Sequence, residues 1–335
     1  MKILLDHPQP FQFAHGGVQA QIQNTKVALE EHGIEVEFLR WWDAGQLGDL
    51  IHYFTVASSG YLHLASNARK PIVMTSLFSE TCNRSEFKLK IQGQLTRWIL
   101  RFPYGKSIKS QLTWRAYHYC ACNIVGLKIE QQVLQTVYNV PQDKISIVPL
   151  GLSETFLQAG HGERKSQDLV CTGTINKIKQ SVELARIAHA AAVPVLFVGK
   201  PYHPEDSYWH EFKQKIDGKF VKYIPHVTDE HKLTELLKNS RGFVLFSKYE
   251  NWCLAAHEAA ACGLPLLLPD KKWARERFGD QASYFTGNPQ RDIGVLQKFY
   301  AFSEKAKAPN VKLWSWKEAV RPLIEVYERV LNSSR

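Results

Sequence analysis

Phe246-Ser-Lys-Tyr-Glu-Asn-Trp-Cys-Leu-Ala-Ala-His-Glu-Ala-Ala-Ala-Cys-Gly-Leu-Pro-Leu-Leu267 decides the fold. The apolar run Gly242 to Phe246 reads as a buried strand, and Ser247 to Asn251 as a polar turn. An alanine-rich helix follows and stops at Gly263 and Pro265, where a left-handed cap and a missing N–H end it. Leu264 to Leu268 is strand-like again, so this stretch is one strand–loop–helix–strand unit of a parallel sheet.

The same stretch carries two acids. Glu250 lies in the loop before the helix, and Glu258 lies on it, roughly 7–8 Å along the axis from Cys253. Between them are the free N–H groups of the helix start, around Asn251, Trp252, Cys253 and Leu254, a seat for an anion. Carboxylate, phosphate seat, carboxylate is an order that suits hydroxyls, diphosphate and hydroxyls, the layout of a nucleotide sugar. Glu, seven residues, Glu, then Ala-x-Ala-Cys-Gly-Leu-Pro resembles the signature of retaining glycosyltransferases of family 4. The resemblance implies a GT-B fold, with Glu250 at the donor sugar and Glu258 at the ribose.

At 335 residues and 44% hydrophobic composition the chain can fill two cores. A net charge of +10 favours anionic partners: phosphorylated donors, acidic glycans, anionic lipid or nucleic acid. Six cysteines (82, 120, 122, 171, 253 and 262) show no zinc-like spacing, so buried free thiols and a reduced, cytoplasmic protein are expected. The apolar run after Met1 is too short for a signal peptide, and no run approaches a membrane span.

The first half opens with strand Ile3–Leu5, a loop holding Pro8 and Pro10, then Gly16-Gly17. Val18, Ile22, Val27 and Leu29 mark a helix ending at Gly33, and Val36–Leu39 the next strand. This is the opening of a dinucleotide-binding-like unit without the full three-glycine fingerprint, so no nicotinamide cofactor is expected. Gly16 and Gly17 let the backbone approach a ligand; the resemblance puts them at the donor phosphate and acceptor. Asp49–Phe54 and Pro71–Thr75 read as further strands. Many family members carry a site histidine just after the latter, where this chain has Ser76-Leu77-Phe78. Two readings stay open: the donor is recognised differently, or His15 or His52 fills the space.

From Arg84 to Arg115 the chain is basic (Arg84, Lys88, Lys90, Arg97, Arg101, Lys106, Lys109 and Arg115 against Glu86), with Phe87, Leu89, Leu95, Trp98 and Ile99 interleaved. Such a segment suits an anionic membrane surface or an acidic acceptor, or is an ordinary helix pair with solvated charges; nucleic acid is the least favoured partner. Asn123–Val125 is a strand, Glu130–Tyr138 a helix, and Lys144–Leu150 the last strand before Ile-Val-Pro-Leu-Gly-Leu (147–152), which resembles the family's exit from its N-terminal domain. The polar run Glu154–Gln167 reads as a linker.

The alternation then repeats: strands Leu169–Thr172, Val195–Gly199 and Phe220–Ile224, helices Val182–Ala192 and Thr228–Asn239. The reading is α/β: two doubly wound Rossmann-like domains with a cleft between them, 1–155 on the acceptor side and 165–312 on the donor side, with the helix 315–335 returning to the first. In the resembled family the loop Gly173 to Lys179 binds the diphosphate. Lys179 would neutralise the leaving group, although Thr174 stands where the family usually has Arg, and Lys177 is the available substitute. His226 and Val227 follow a strand where the family seats the base. Trp314 and Trp316 read as packing residues before a helix Trp316–Leu331. There is no Asp-x-Asp motif, and the scheme needs neither metal nor cofactor beyond the sugar nucleotide as substrate. The function implied is transfer of a sugar, with retention, to a glycan or lipid-linked acceptor in cell-surface polysaccharide or glycoconjugate synthesis. A GT-B epimerase or phosphorylase shares the fold, and a non-catalytic glycan- or polyanion-binding protein on the same scaffold is the alternative from another class.

Overall fold

The computed structural model describes residues 1–11, 16–78, 80–101 and 113–333. The chain divides into two compact units, one of Met1–Ala14, Val18–Gly151 and Trp316–Arg335, the other of His15–Gly17 and Leu152–Ser315.

In the first unit, strands β1 (Lys2–Asp6), β2 (Glu35–Phe38), β3 (Leu50–Phe54), β4 (Ile72–Thr75), β5 (Cys122–Val125) and β6 (Ile145–Ile147) form a parallel sheet in the order β2-β1-β3-β4-β5-β6. Helices α1 (Gly17–Glu31), α2 (Ser59–Asn67), α3 (Glu86–Arg101) and α4 (Lys128–Tyr138) make the connections. β3, β4 and β5 are buried along their whole length, as strands covered on both faces must be. β6 is shorter than its apolar run: Val148 N–H still donates to Val125 O, but Pro149 has no N–H to carry the ladder on.

The second unit begins with α5 (Glu154–Leu157) and carries β7 (Leu169–Thr172), β8 (Val195–Val198), β9 (Val221–Ile224), β10 (Gly242–Val244), β11 (Leu266–Pro269) and β12 (Ser283–Phe285). These are parallel, in the order β12-β11-β10-β7-β8-β9. Its helices are α6 (Ser181–Ala191), α7 (Ser207–Lys213), α8 (Glu230–Asn239), α9 (Leu254–Ala261), α10 (Lys272–Phe278) and α11 (Pro289–Ser303). The stretch 154–167, read as a linker, is instead tied to this unit. The Arg164 guanidinium donates to the carbonyls of Gly263, Ser303, Glu304 and Ala306, and Ser166 N–H donates to Asn239 O. Its polarity serves those carbonyls.

The C-terminal segment returns to the first unit as α12 (Trp316–Ala319) and α13 (Arg321–Ser333). The run read as one helix is broken at Val320 because Pro322 cannot donate back along it. Leu323, Val326, Tyr327 and Val330 bury against Ile3, Leu5, Phe54 and Val73. Below them His52, fully buried, hydrogen-bonds the Tyr327 hydroxyl at 2.6 Å through Nδ1 and Thr75 Oγ1 at 2.7 Å through Nε2.

Candidate functional site

The signature stretch folds at the carboxyl edge of the second sheet, where open α/β sheets bind ligands. β10 hands over to a loop, Cys253 sits in the left-handed region at φ +62°, and α9 starts at Leu254 with no side chain capping it. Its first N–H groups are therefore donors without intrahelical partners. At the other end Gly263, at φ +80°, closes the helix: its N–H donates to Ala260 O, and Leu264 N–H donates to Ala259 O.

Three side chains hold the Cys253 turn. Trp252 stacks on His257 with centroids 5.0 Å apart, and the Arg277 guanidinium lies 4.4 Å over Trp252 and 5.2 Å over Trp314. His257 Nε2 accepts from Arg277 Nε–H at 3.1 Å, which leaves Nδ1–H to donate to Cys253 O at 2.9 Å. Burial, with Arg277 adding to it, pushes the His257 imidazole down to about 3, so it is neutral. Trp314 is thus a packing residue, and His257 and Arg277 are site-shaping residues that the sequence pattern did not single out.

The loop after β7 meets this one. Gly173 lies at φ +147°, a conformation side chains disfavour. Asn176 Oδ1 accepts from the N–H groups of Ile178 (2.9 Å) and Lys179 (2.8 Å), an Asx turn that aims Lys179, and Lys248 N–H donates to Ile178 O at 2.8 Å. Lys179 Nζ and Glu250 Oε1 form an ion pair. Their side chains are only 24% and 11% exposed, so the pair is poorly screened. Burial works against the Lys179 charge, but the Glu250 carboxylate outweighs it and holds the ammonium above its ordinary range. Glu258 on α9 shares the field of this pair. Its carboxyl is pushed up to about 7 by burial first and Glu230 second, with Lys179 opposing them.

The structure therefore brings together Gly173, Thr174, Lys179, Glu250, Asn251, Trp252, Cys253, Leu254 and Glu258. His226 and Val227 follow β9 at the same edge, the His226 imidazole lowered by burial and then by Lys200. Gly16, at φ +123°, and Gly17 lead into α1. Lys177 is exposed. His52 is enclosed in the core of the first unit, so it does not take the place of the missing histidine; His15 lies outside the described residues. Among the described residues no group of three or more His, Cys, Asp or Glu could hold a metal ion. A cavity of about 460 Å³ lies next door, between α6, α11 and the ends of β10–β12, but Lys179, Glu250 and Glu258 are not in its walls.

Residues 171–296, most of the second unit, match the family Glycosyl transferases group 1. Solved structures similar over the whole chain include three GT-B glycosyltransferases. Sucrose-phosphate synthase from Thermosynechococcus elongatus is 14% identical, with a TM-score of 0.65 over 99% of this chain and 96% of that one. HepE of Anabaena, in complex with UDP-glucose, is 16% identical, with a TM-score of 0.63 over 99% of each chain. The lipopolysaccharide outer core galactosyltransferase WaaB is 13% identical, with a TM-score of 0.61 over the full length of both. No curated protein matches by sequence. The fold is GT-B, and its second unit resembles the group 1 transferases.

Proposed function

We propose that the chain transfers a sugar from a nucleoside diphosphate sugar to a glycan or lipid-linked acceptor, with retention of anomeric configuration. One observation carries the reading: Lys179 and Glu250 are paired beside the uncapped start of α9, with Glu258 in the same field. In the scheme, the diphosphate sits on the N–H groups around Asn251–Leu254 and on the Gly173 loop, Glu250 takes the sugar hydroxyls and Glu258 the ribose diol. The donor's C1–O bond breaks and Lys179 meets the charge on the departing diphosphate. The acceptor hydroxyl attacks C1 from the same face, and its proton passes to the departing phosphate oxygen. The work is electrostatic, aimed at charge that grows in the transition state. The scheme needs no metal or other cofactor. Through the basic segment 84–115, of which 102–112 lie outside the described residues, the chain would face an anionic membrane surface; nucleic acid is the least favoured partner.

The similar HepE structure holds UDP-glucose, which makes UDP-sugars the first donors to try. A thermal-shift screen of UDP-, GDP-, ADP- and CMP-sugars, followed by release of free sugar from the best binder, tests the reading. Binding with measurable turnover supports it. Thr174 and Ser76-Leu77-Phe78, where the resembled family has Arg and His, favour a second reading, a glycan- or polyanion-binding protein without catalysis; binding of glycans with no turnover of any donor would establish it.

A further inference from the structure

The cavity of about 460 Å³ beside the candidate site has no part in the transfer scheme, yet its size is that of a small-molecule site rather than a hole for water. Three strands and two helices build it. Phe246 continues β10, and the register that pairs Val244 with Leu267 brings it level with Pro269, which pairs in turn with Phe285 on β12. The Phe246 and Phe285 rings meet edge to face, centroids 4.7 Å apart, and make an apolar wall. Ile187 on α6 and Ile293 on α11 extend it. The two helices touch further along, where Gln297 Nε2 donates to Ala191 O at 3.1 Å; toward their first turns the cavity lies between them.

Two polar groups in these walls are left over by the fold. Ser247 is 1% exposed, and its hydroxyl has no hydrogen-bond partner, which buried polar groups rarely lack. The other is a cation. Glu183 accepts from the Tyr208 hydroxyl at 2.6 Å, Asp270 accepts from Arg275 at 2.7 and 3.1 Å, and Arg186 pairs with Glu211. Lys271 is the charged wall residue whose side chain has no hydrogen-bond or ion-pair partner among the described residues. By the same register Ser247 stands level with Asp270, so Ser247 and Lys271 are one strand spacing, about 4.8 Å, and one residue apart.

We propose that this cavity is a second ligand site, which takes a small aromatic carboxylate. The ring lies against Phe246, Phe285 and the two isoleucines, and the carboxylate accepts from the Ser247 hydroxyl and the Lys271 ammonium. Apolar walls favour an apolar body, and aromatic walls a flat one. An acid is what a buried hydroxyl and an unpaired ammonium both lack. A phosphate dianion fits worse, because Glu183 and Asp270 stand in the same walls and repel the second charge. The site is separate from the donor seat, since Lys179, Glu250 and Glu258 are outside its walls, and it does not depend on the transfer reaction.

Calorimetry of the full chain with 2-naphthoate, and with 2-naphthamide as its uncharged counterpart, tests the proposal. Naphthoate should bind one to one with a Kd of about 0.1 mM, and the amide about tenfold more weakly, the scale of a charge-assisted hydrogen bond. Ala190→Trp, at an exposed position in the wall, should fill the space and weaken both ligands about tenfold or more. Lys271→Gln should lower naphthoate affinity about tenfold, to the level of the amide, and Ser247→Ala about fivefold. Four results would overturn the proposal: no binding of naphthoate, equal binding of the two ligands, any of these variants binding naphthoate like the parent, or displacement of naphthoate by UDP-glucose. Naphthoate binding to Glu250→Ala should match the parent, which separates the fate of this site from that of the proposed activity.

Discussion

Two clusters of polar side chains, one beside the sheet of each unit, are opposites. In the first, His52, Thr75 and Tyr327 are neutral and almost wholly enclosed, and both imidazole nitrogens have partners. In the second, Lys179, Glu250 and Glu258 are ionisable and crowded at a carboxyl edge, and only the first two pair with each other. A satisfied neutral network fixes packing. Charges gathered where they are partly desolvated and incompletely matched raise the energy of the empty protein, and a ligand bringing hydroxyls and phosphates relieves it.

The largest expected effect breaks the charged cluster. Glu250→Ala should lower sugar transfer about a thousandfold, the scale of removing a group that acts in the transition state, with the circular dichroism spectrum unchanged; a parental rate removes Glu250 from the mechanism. Glu258 gives a pH signature. Its carboxyl titrates at about 7 in the free protein, and ribose hydroxyls need an acceptor, so the bound form favours the carboxylate. Nucleoside diphosphate affinity should therefore rise about tenfold from pH 6 to 8, with proton release in calorimetry, and Glu258→Gln should flatten the profile. The sign for stability is the reverse. The unfolded carboxyl ionises near 4.5, so the free protein's contribution from this group is full below that pH and declines as pH rises to about 7.

The neutral cluster should answer through stability alone. Tyr327→Phe leaves one buried imidazole nitrogen unpartnered and should cost about 1–3 kcal/mol in denaturant unfolding, with donor turnover unchanged; altered turnover would spoil the contrast between the units. Burial pushes His52 down to about 3 against an ordinary 6.5. The unfolded chain thus takes a proton that the folded one refuses, and the stability present above pH 6.5 is lost as pH falls toward 3. The smallest effect concerns Lys177, exposed and outside the pair: Lys177→Ala should change donor affinity less than about threefold. A loss as large as that of Lys179→Ala would make it the substitute for the arginine that Thr174 displaces.

Legibility varied with how local the cause was. Strands β3, β4 and β7, short and mostly apolar, and the stop of α9 at Gly263 were readable because neighbours in sequence cause them. α8 starts where the helix was read because Asp229 caps it locally, its side chain accepting from the N–H groups of His231 and Lys232. α11 went unread: it opens on Asn288 and Pro289, a cap and first-turn proline easily taken for a loop, and its apolar positions face α6. Arg164 looked like a linker residue because its acceptors lie about a hundred or more residues further along the chain. His257 and Arg277 carried no signal, since a lone histidine on an alanine-rich helix looks the same whether or not a guanidinium meets it.

The sequence by itself determined the alternation of strands and helices, the placement of Glu250 and Glu258 on either side of a helix start, and the basic character of 84–98, all products of spacing along the chain. Only the tertiary structure decided that Lys179 meets Glu250 across 71 positions, that His52 is sealed beneath Tyr327, and that a cavity lies between α6 and α11. Charge pairing and burial depend on distance through space, and a parallel sheet with crossovers makes neighbours of residues that the chain holds far apart.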